Sequence, residues 1–210
     1  MQSKDLLQLA EQYGSPLYVY DAAKIQSQYN RLSKAFSKVN KLRINYAMKA
    51  LSNVAILQLL REMGSGLDTV SIQEVMLGLH AGYEPDKIFY TPNGVSLEEI
   101  EEVNALGVQI NIDNLSILEQ FGTKYPHVPV CIRINPHVMA GGNANISVGH
   151  IDSKFGISVH QLPHLVRIVE NTKMNIVGIH MHTGSDILDI EVFLYAAEIL
   201  FDAAKSFKNL

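Results

Sequence analysis

Cysteine is almost missing from this chain: Cys131 stands alone among 210 residues. One thiol cannot build an internal disulfide framework, and such scarcity fits a reducing compartment. Long apolar runs are missing as well. None approaches the ~20 residues needed to span a bilayer, and the opening "MQSKDLLQLAEQYGSP" is amphipathic, mixed in charge and without a signal-type apolar core. Nor is there an excess of positive charge. Lys and Arg number 17 against 21 Asp and Glu, a formal net charge of −4, which argues against a general nucleic-acid or anionic-membrane binder. Together these absences predict a soluble, cytoplasmic protein.

What is present is ordinary globular material, 47% hydrophobic and 18% charged, enough for a sizeable core. It is arranged in a beat. Strand-like runs "LRINYA", "GLDTVS", "KIFYTPN", "VQINIDN", "VPVCIRIN" and "NIVGIHMHTG" alternate with helix-like runs such as "NVAILQLLREM" and "SLEEIEEVNALG". Asp21, Ser71 and Ser96 are placed as helix caps, with Glu99 completing a capping box behind Ser96. The first five strands recur at roughly 20-residue intervals, and alternating βα units imply a parallel sheet with helices outside. No dinucleotide-type glycine fingerprint follows the first strand, so a (β/α)8 TIM-type barrel is favoured over a doubly wound sheet. Six strands are legible where a barrel needs eight. The reading is an incomplete barrel, the N-terminal part of a longer protein.

Several polar side chains fall on the non-apolar phase near the C-terminal ends of these strands, where a barrel keeps its chemistry: Lys49, Asp68, Asp113, Arg133, His180 and His182. In "INYAMK", Ile44, Tyr46 and Met48 share one face, leaving Asn45, Ala47 and Lys49 on the other. An ammonium aimed into a barrel is costly unless it is paired or used. A Schiff-base lysine is one use; snorkelling to solvent is the ordinary alternative. Arg43 and Arg133 lie on matching phases, Arg43 at the strand's entry.

"GIHMHTGSD" places His180 and His182 on one face. Such a pair can bind a metal, rest as satisfied core histidines, or lay one imidazole against an aromatic cofactor, with Thr183, Gly184 and Ser185 offering a turn that can reach a phosphate. "GSGLDTVSIQE" is a plain turn and cap except for Asp68, an acid phased opposite Leu67 and Thr69. "NPHVMAGGNANISVGHIDSKFGIS" is long for a barrel loop and reads as a lid or a disordered segment, with His137, His150 and Lys154 within it. Cys131 is expected to be a packing thiol.

In order and spacing, "NYAMKAL", "GSGLDTVSIQEV", "NIDN", "RINP", "SKFGI" and "GIHMHTGSD" resemble the pyridoxal-phosphate decarboxylases of the alanine-racemase-like barrel class, and within it the diaminopimelate decarboxylases. The resemblance runs from "GSPLYVYD" to the end. It implies pyridoxal 5'-phosphate as cofactor, with Lys49 carrying it as a Schiff base and later moving protons. It further implies His182 stacked on the pyridine ring, Ser185 on the phosphate, Asp68 and Arg133 in the surrounding polar network, and His180 lining the pocket. No metal is implied. The reaction would be decarboxylation of meso-diaminopimelate to L-lysine, the last step of lysine biosynthesis, by a homodimer. Residues 1–20 would lend a strand to a second, β-rich domain, and residues 21–210 would be the partial barrel. The 210-residue chain alone is expected to be inactive. Related ornithine, arginine or carboxynorspermidine decarboxylases, and a non-catalytic pyridoxal-phosphate-binding barrel, are the alternatives. A metal-dependent hydrolase built on "HMH" is a more distant one.

Overall fold

Alternating strand and helix signals resolve into one parallel sheet covered on its outer face by helices. The computed structural model describes residues 2–138, 155–185, 187–208 and 210. Its strands are β1 (Asn45–Ala47), β2 (Gly66–Thr69), β3 (Ile88–Tyr90), β4 (Gln109–Ile112), β5 (Pro129–Asn135), β6 (Ile157–Ser158) and β7 (Asn175–His180). The first five lie side by side in chain order, and β7 continues the sheet beyond β5, every pair parallel. These are the six expected barrel strands. The two-residue β6, which the sequence did not predict, adds to the end of β5 with Ile134 opposite Ile157. The architecture is a partial (β/α)8 barrel.

Helices follow the strands in the expected places: α3 (Val54–Glu62), α4 (Ile72–His80), α5 (Leu97–Ala105), α6 (Leu115–Lys124), α7 (Leu162–Thr172) and α8 (Ile190–Ala204), preceded by α1 (Ser3–Tyr13) and α2 (Ala22–Ala35). Their starts are chemically marked. Asp21 accepts from Lys24 N, Asn53 from Ala55 N and Ile56 N, Ser71 from Glu74 N and Ser96 from Glu99 N. The capping box at α5 is only half formed. Glu99 turns its carboxylate to the Tyr90 hydroxyl and to Ile72 N instead, because a buried phenol needs a partner more than an exposed cap does.

The core lies between sheet and helices. Leu67, Ile88, Ile110, Ile112, Ile132 and Ile134 point outward from the strands and are buried. They share one cluster with helix residues including Leu57, Val75, Val103, Leu118, Phe121 and Leu165. Each such side chain contributes roughly 1.5–3 kcal/mol of burial free energy, so this layer sets the register of the whole sheet. The opposite, inward phase of the same strands carries Asp68, Asn111 and Arg133 together with Phe89 and Cys131.

Two backbone features aim that inward face. β7 carries one extra residue against β5: Val130 pairs with Ile176 and Cys131 with Gly178. The skipped Val177 is 46% exposed, and the bulge brings His180 opposite Arg133. At Gly156, φ is +85° and an added Cβ would lie 3.0 Å from Asn135 N and 3.1 Å from Arg133 O. Only glycine allows β6 to lie so close along the top of β5.

Residues 17–20 join no sheet among the described residues. Of the long loop expected over residues 135–158, residues 139–154, with His150 and Lys154, lie outside the described residues. No described helix is long and apolar enough to cross a membrane.

Candidate functional site

The strand ends gather a ring of polar side chains. Asp68, at the end of β2, is half-buried and accepts a hydrogen bond from Thr91 at 2.7 Å. Burial raises its pKa above the ordinary carboxylate value, partly offset by the Thr91 bond and by the charges of Lys49 and Arg133. Asp113 follows β4, is 7% exposed, and accepts from Asn93 Nδ2 at 2.6 Å and Asn114 Nδ2 at 3.1 Å.

Arg133, also 7% exposed, lies with its guanidinium carbon 4.9 Å from the Phe155 ring centroid. Desolvation lowers its pKa while Asp113 and Asp68 raise it. A desolvated guanidinium, held by aromatic contact and by two carboxylates at longer range, leaves its planar fork for an anionic group.

His180 meets Phe89 edge-on, with ring centroids 6.0 Å apart at 74°, and its Nδ1 lies 3.3 Å from Asn111 Nδ2. Burial, then the charges of Arg133 and His182, push its pKa down to about 4. His182 lies just past the strand and is also depressed, by burial and by Arg133 and Lys49. Thr183 is buried, Gly184 has φ +137° and Ser185 is exposed, so "HTGS" leaves the sheet as irregular chain that bends at Ser185.

Lys49 departs from the expected placement. Strand pairing ends at Ala47 opposite Asp68, after which Met48–Ala50 form a 3-10 turn closed by Leu51 N to Met48 O at 3.0 Å. Met48 takes the buried position and Lys49 is exposed. It stands at the mouth of the ring, close enough to act electrostatically on both Asp68 and His182.

The structure thus brings Lys49, Asp68, Arg133, His180 and His182 to one end of the sheet, with Ser185 on the adjoining turn. Arg43 does not join them. It is exposed at the opposite end, donating to Asp86 O at 2.8 Å and to the Gln109 side chain. Cys131 is a packing thiol whose pKa burial raises to about 11. His137 stacks on His160, with centroids 5.1 Å apart, and bonds Ser158 at 2.7 Å, outside the ring. Among the described residues no three His, Cys, Asp or Glu side chains are grouped to hold a metal ion.

Sequence reasoning passed over Thr91, Asn111 and Phe155, and noted Asp113 without assigning it a role. Asn111 shares its phase in "QINIDN" with Asp113, so the alternation that found one could have found the other. Phe155 offered no such signal, since its place over Arg133 depends on how β6 docks.

Residues 22–210 match the family described as pyridoxal-dependent decarboxylase, pyridoxal binding domain. The chain belongs to this family. It is 40% identical over 202 residues to the diaminopimelate decarboxylase of Methanothermobacter thermautotrophicus, covering 95% of this chain and 47% of that protein. The diaminopimelate decarboxylase of Helicobacter pylori complexed with L-lysine superposes with a TM-score of 0.86 at 32% identity, over 98% of this chain and 52% of that one. The lysine/ornithine decarboxylase of Vibrio vulnificus complexed with putrescine, at 22% identity and TM-score 0.80 over 96% of this chain and 51% of that one, shares the fold. The chain spans about half the length of the curated relatives it matches.

Pyridoxal phosphate is the family's cofactor, and the donor set suits it. Such a cofactor needs an accessible primary amine, a flat partner for its ring, and donors for its phosphate and ring substituents. Lys49 is exposed at the mouth, His182 is an uncharged-leaning imidazole beside it, and Ser185 caps a small-residue turn. The buried Asn111 Oδ1 has no hydrogen-bond partner, leaving an acceptor available in the ring.

Proposed function

We propose that this chain forms the larger part of the cofactor barrel of a cytoplasmic diaminopimelate decarboxylase, which converts meso-diaminopimelate to L-lysine and carbon dioxide. The observation that carries the reading is the convergence of Lys49, Asp68, Arg133 and His182 at one sheet end, in a chain whose curated relatives bear that name.

Bound pyridoxal phosphate supplies the electron sink that makes loss of carbon dioxide accessible. The chain's own residues bind, orient and move protons. Lys49 Nζ, exposed on its 3-10 turn, would be the amine that holds the cofactor. His182 would lie against the cofactor ring, and burial beside Arg133 and Lys49 lowers its pKa in favour of the neutral form. Ser185 Oγ and the backbone at Gly184 would meet the phosphate. Arg133 offers its fork to an anionic group, with Asp68 and Asp113 balancing its charge. Lys49 Nζ would also be the group placed to move a proton at the substrate.

Of residues 1–20, Ser3–Tyr13 form the helix α1, and residues 17–20 fit a strand that pairs outside this sheet, in a second, β-rich domain, since Tyr18 is 87% exposed and no described strand takes it. A homodimer is the assembly expected of the whole protein, and the 210-residue chain alone is expected not to turn over.

The test compares this chain with a form extended to the length of its relatives. Both are mixed with pyridoxal phosphate, with and without Lys49→Ala, and scanned for a visible absorption band. Carbon dioxide release is then measured from meso-diaminopimelate, ornithine and arginine. A Lys49-dependent band and release from meso-diaminopimelate in the long form are expected. A band indifferent to Lys49 would remove the cofactor assignment, and preferential release from ornithine or arginine would remove the substrate. Turnover by the 210-residue chain at the long form's rate would overturn its expected inactivity.

A further inference from the structure

His180 is held from two sides by residues that sequence reasoning did not select. Asn111, on β4, is fully buried and sets Nδ2 3.3 Å from His180 Nδ1. Phe89, on β3, closes the ring's other flank edge-on. An amide nitrogen can only donate, so the ring atom it faces must accept, and a neutral imidazole accepting at Nδ1 carries its hydrogen on Nε2. An imidazolium would set an N–H against an N–H.

The opposite orientation of the amide would reverse this tautomer, and the burial of Asn111 argues against it. As placed, the acceptor Oδ1 and the second hydrogen of Nδ2 are left without a partner. Reversed, an NH2 group with two donors would be left in its place, and buried donors without partners are the rarer and costlier state. The charged neighbours act in the same direction. Arg133 lies directly across the ladder from His180 and His182 two residues on, and both oppose a further positive charge on the ring. Asp68 and Asp113 act on Arg133.

We infer that Asn111 is a positioning residue that holds His180 as the neutral, Nε2-protonated tautomer, so that the ring around Lys49 and Arg133 presents a fixed N–H donor and gains no further charge. The inference stands on the Asn111–His180–Phe89 contacts and does not depend on the decarboxylase reading.

It is tested on the full 210-residue chain without cofactor, labelled with 15N-histidine, by reading the imidazole nitrogen shifts of His180 from about pH 5 to pH 8; His180→Gln assigns the signals. The wild-type ring should show a single Nε2–H tautomer that does not titrate in this range. Asn111→Asp replaces the donor by an acceptor of the same shape. The proton should then move to Nδ1, and proton affinity should rise at least about tenfold, one pKa unit. A wild-type ring protonated on Nδ1, or an Asn111→Asp ring still protonated on Nε2 alone, overturns the assignment. Should Asn111→Asp fail to fold, Asn111→Leu keeps the volume without donor or acceptor. It should give a mixture of tautomers, and an unchanged single tautomer would overturn the inference. Chain stability cannot mimic these readouts, because packing alone does not choose which nitrogen is protonated.

Discussion

Thr91 donates its hydroxyl proton to Asp68 across the β2–β3 ladder, with Oγ1 2.7 Å from Oδ1. Thr91 is itself only 5% exposed, and its backbone N–H reaches Thr69 O at 2.7 Å. The carboxylate is thus held by a donor that the sheet itself fixes. Burial works against its charge while this bond, Lys49 and Arg133 work for it.

Replacing Thr91 with valine keeps the shape and removes the donor. A hydrogen bond to a charged group is worth about 1.5–3 kcal/mol, so Thr91→Val should lower stability by that order at neutral pH. The loss should shrink in acid, where Asp68 is protonated and the bond is weaker. Urea unfolding at several pH values checks this, and a penalty independent of pH would show that Asp68 is not the charged partner.

His180 also ties stability to pH. Its folded pKa of about 4 lies below the ordinary 6.5. The unfolded state therefore binds more protons between these values, and stability falls as pH drops from 6.5 toward 4, then levels off. The span corresponds to on the order of 3 kcal/mol. His180→Leu should flatten that segment of the stability curve, and an undiminished slope would place the titration elsewhere.

Gly156 joins the loop end to the site. Its φ of +85° and the backbone of β5 3.0–3.1 Å from an added Cβ leave no room for a side chain. Gly156→Ala should cost about 1–3 kcal/mol and shift Phe155 away from Arg133. Unfolding measurements read the first effect. Loss of ring-current shifts on the Arg133 side-chain protons reads the second.

Much of this was legible in the sequence, and the exceptions have physical reasons. Asp21 and Ser71 cap helices as read because a short polar side chain before an apolar run has few other uses. Asp68, Arg133 and His180 converge as read because period-2 alternation carries direction as well as burial. Lys49 stands at the mouth of the site exposed on a 3-10 segment, not on the strand, because strand pairing stops at Ala47, two residues before it. The β7 bulge left no mark in composition. It depends on how Gly178 passes Cys131 Sγ, 2.7 Å from where a Cβ would sit. Contacts such as Phe155 on Arg133 join residues that only the folded chain brings together.

Arg133 links the two titrating groups, and removing its charge should move both the same way. The guanidinium lowers the Asp68 pKa by favouring the carboxylate, and lowers the His180 pKa by opposing the imidazolium. Arg133→Met keeps much of the apolar stem and deletes the cation. Both groups should then protonate at higher pH: Asp68 because its anion has lost a partner, His180 because its cation has lost a repeller. NMR titration of the Asp68 carboxyl carbon and the His180 ring nitrogens reads each directly. A shift of one group without the other would mean that Arg133 faces only one of them. A fall in either pKa would contradict the charge arrangement on which the site rests.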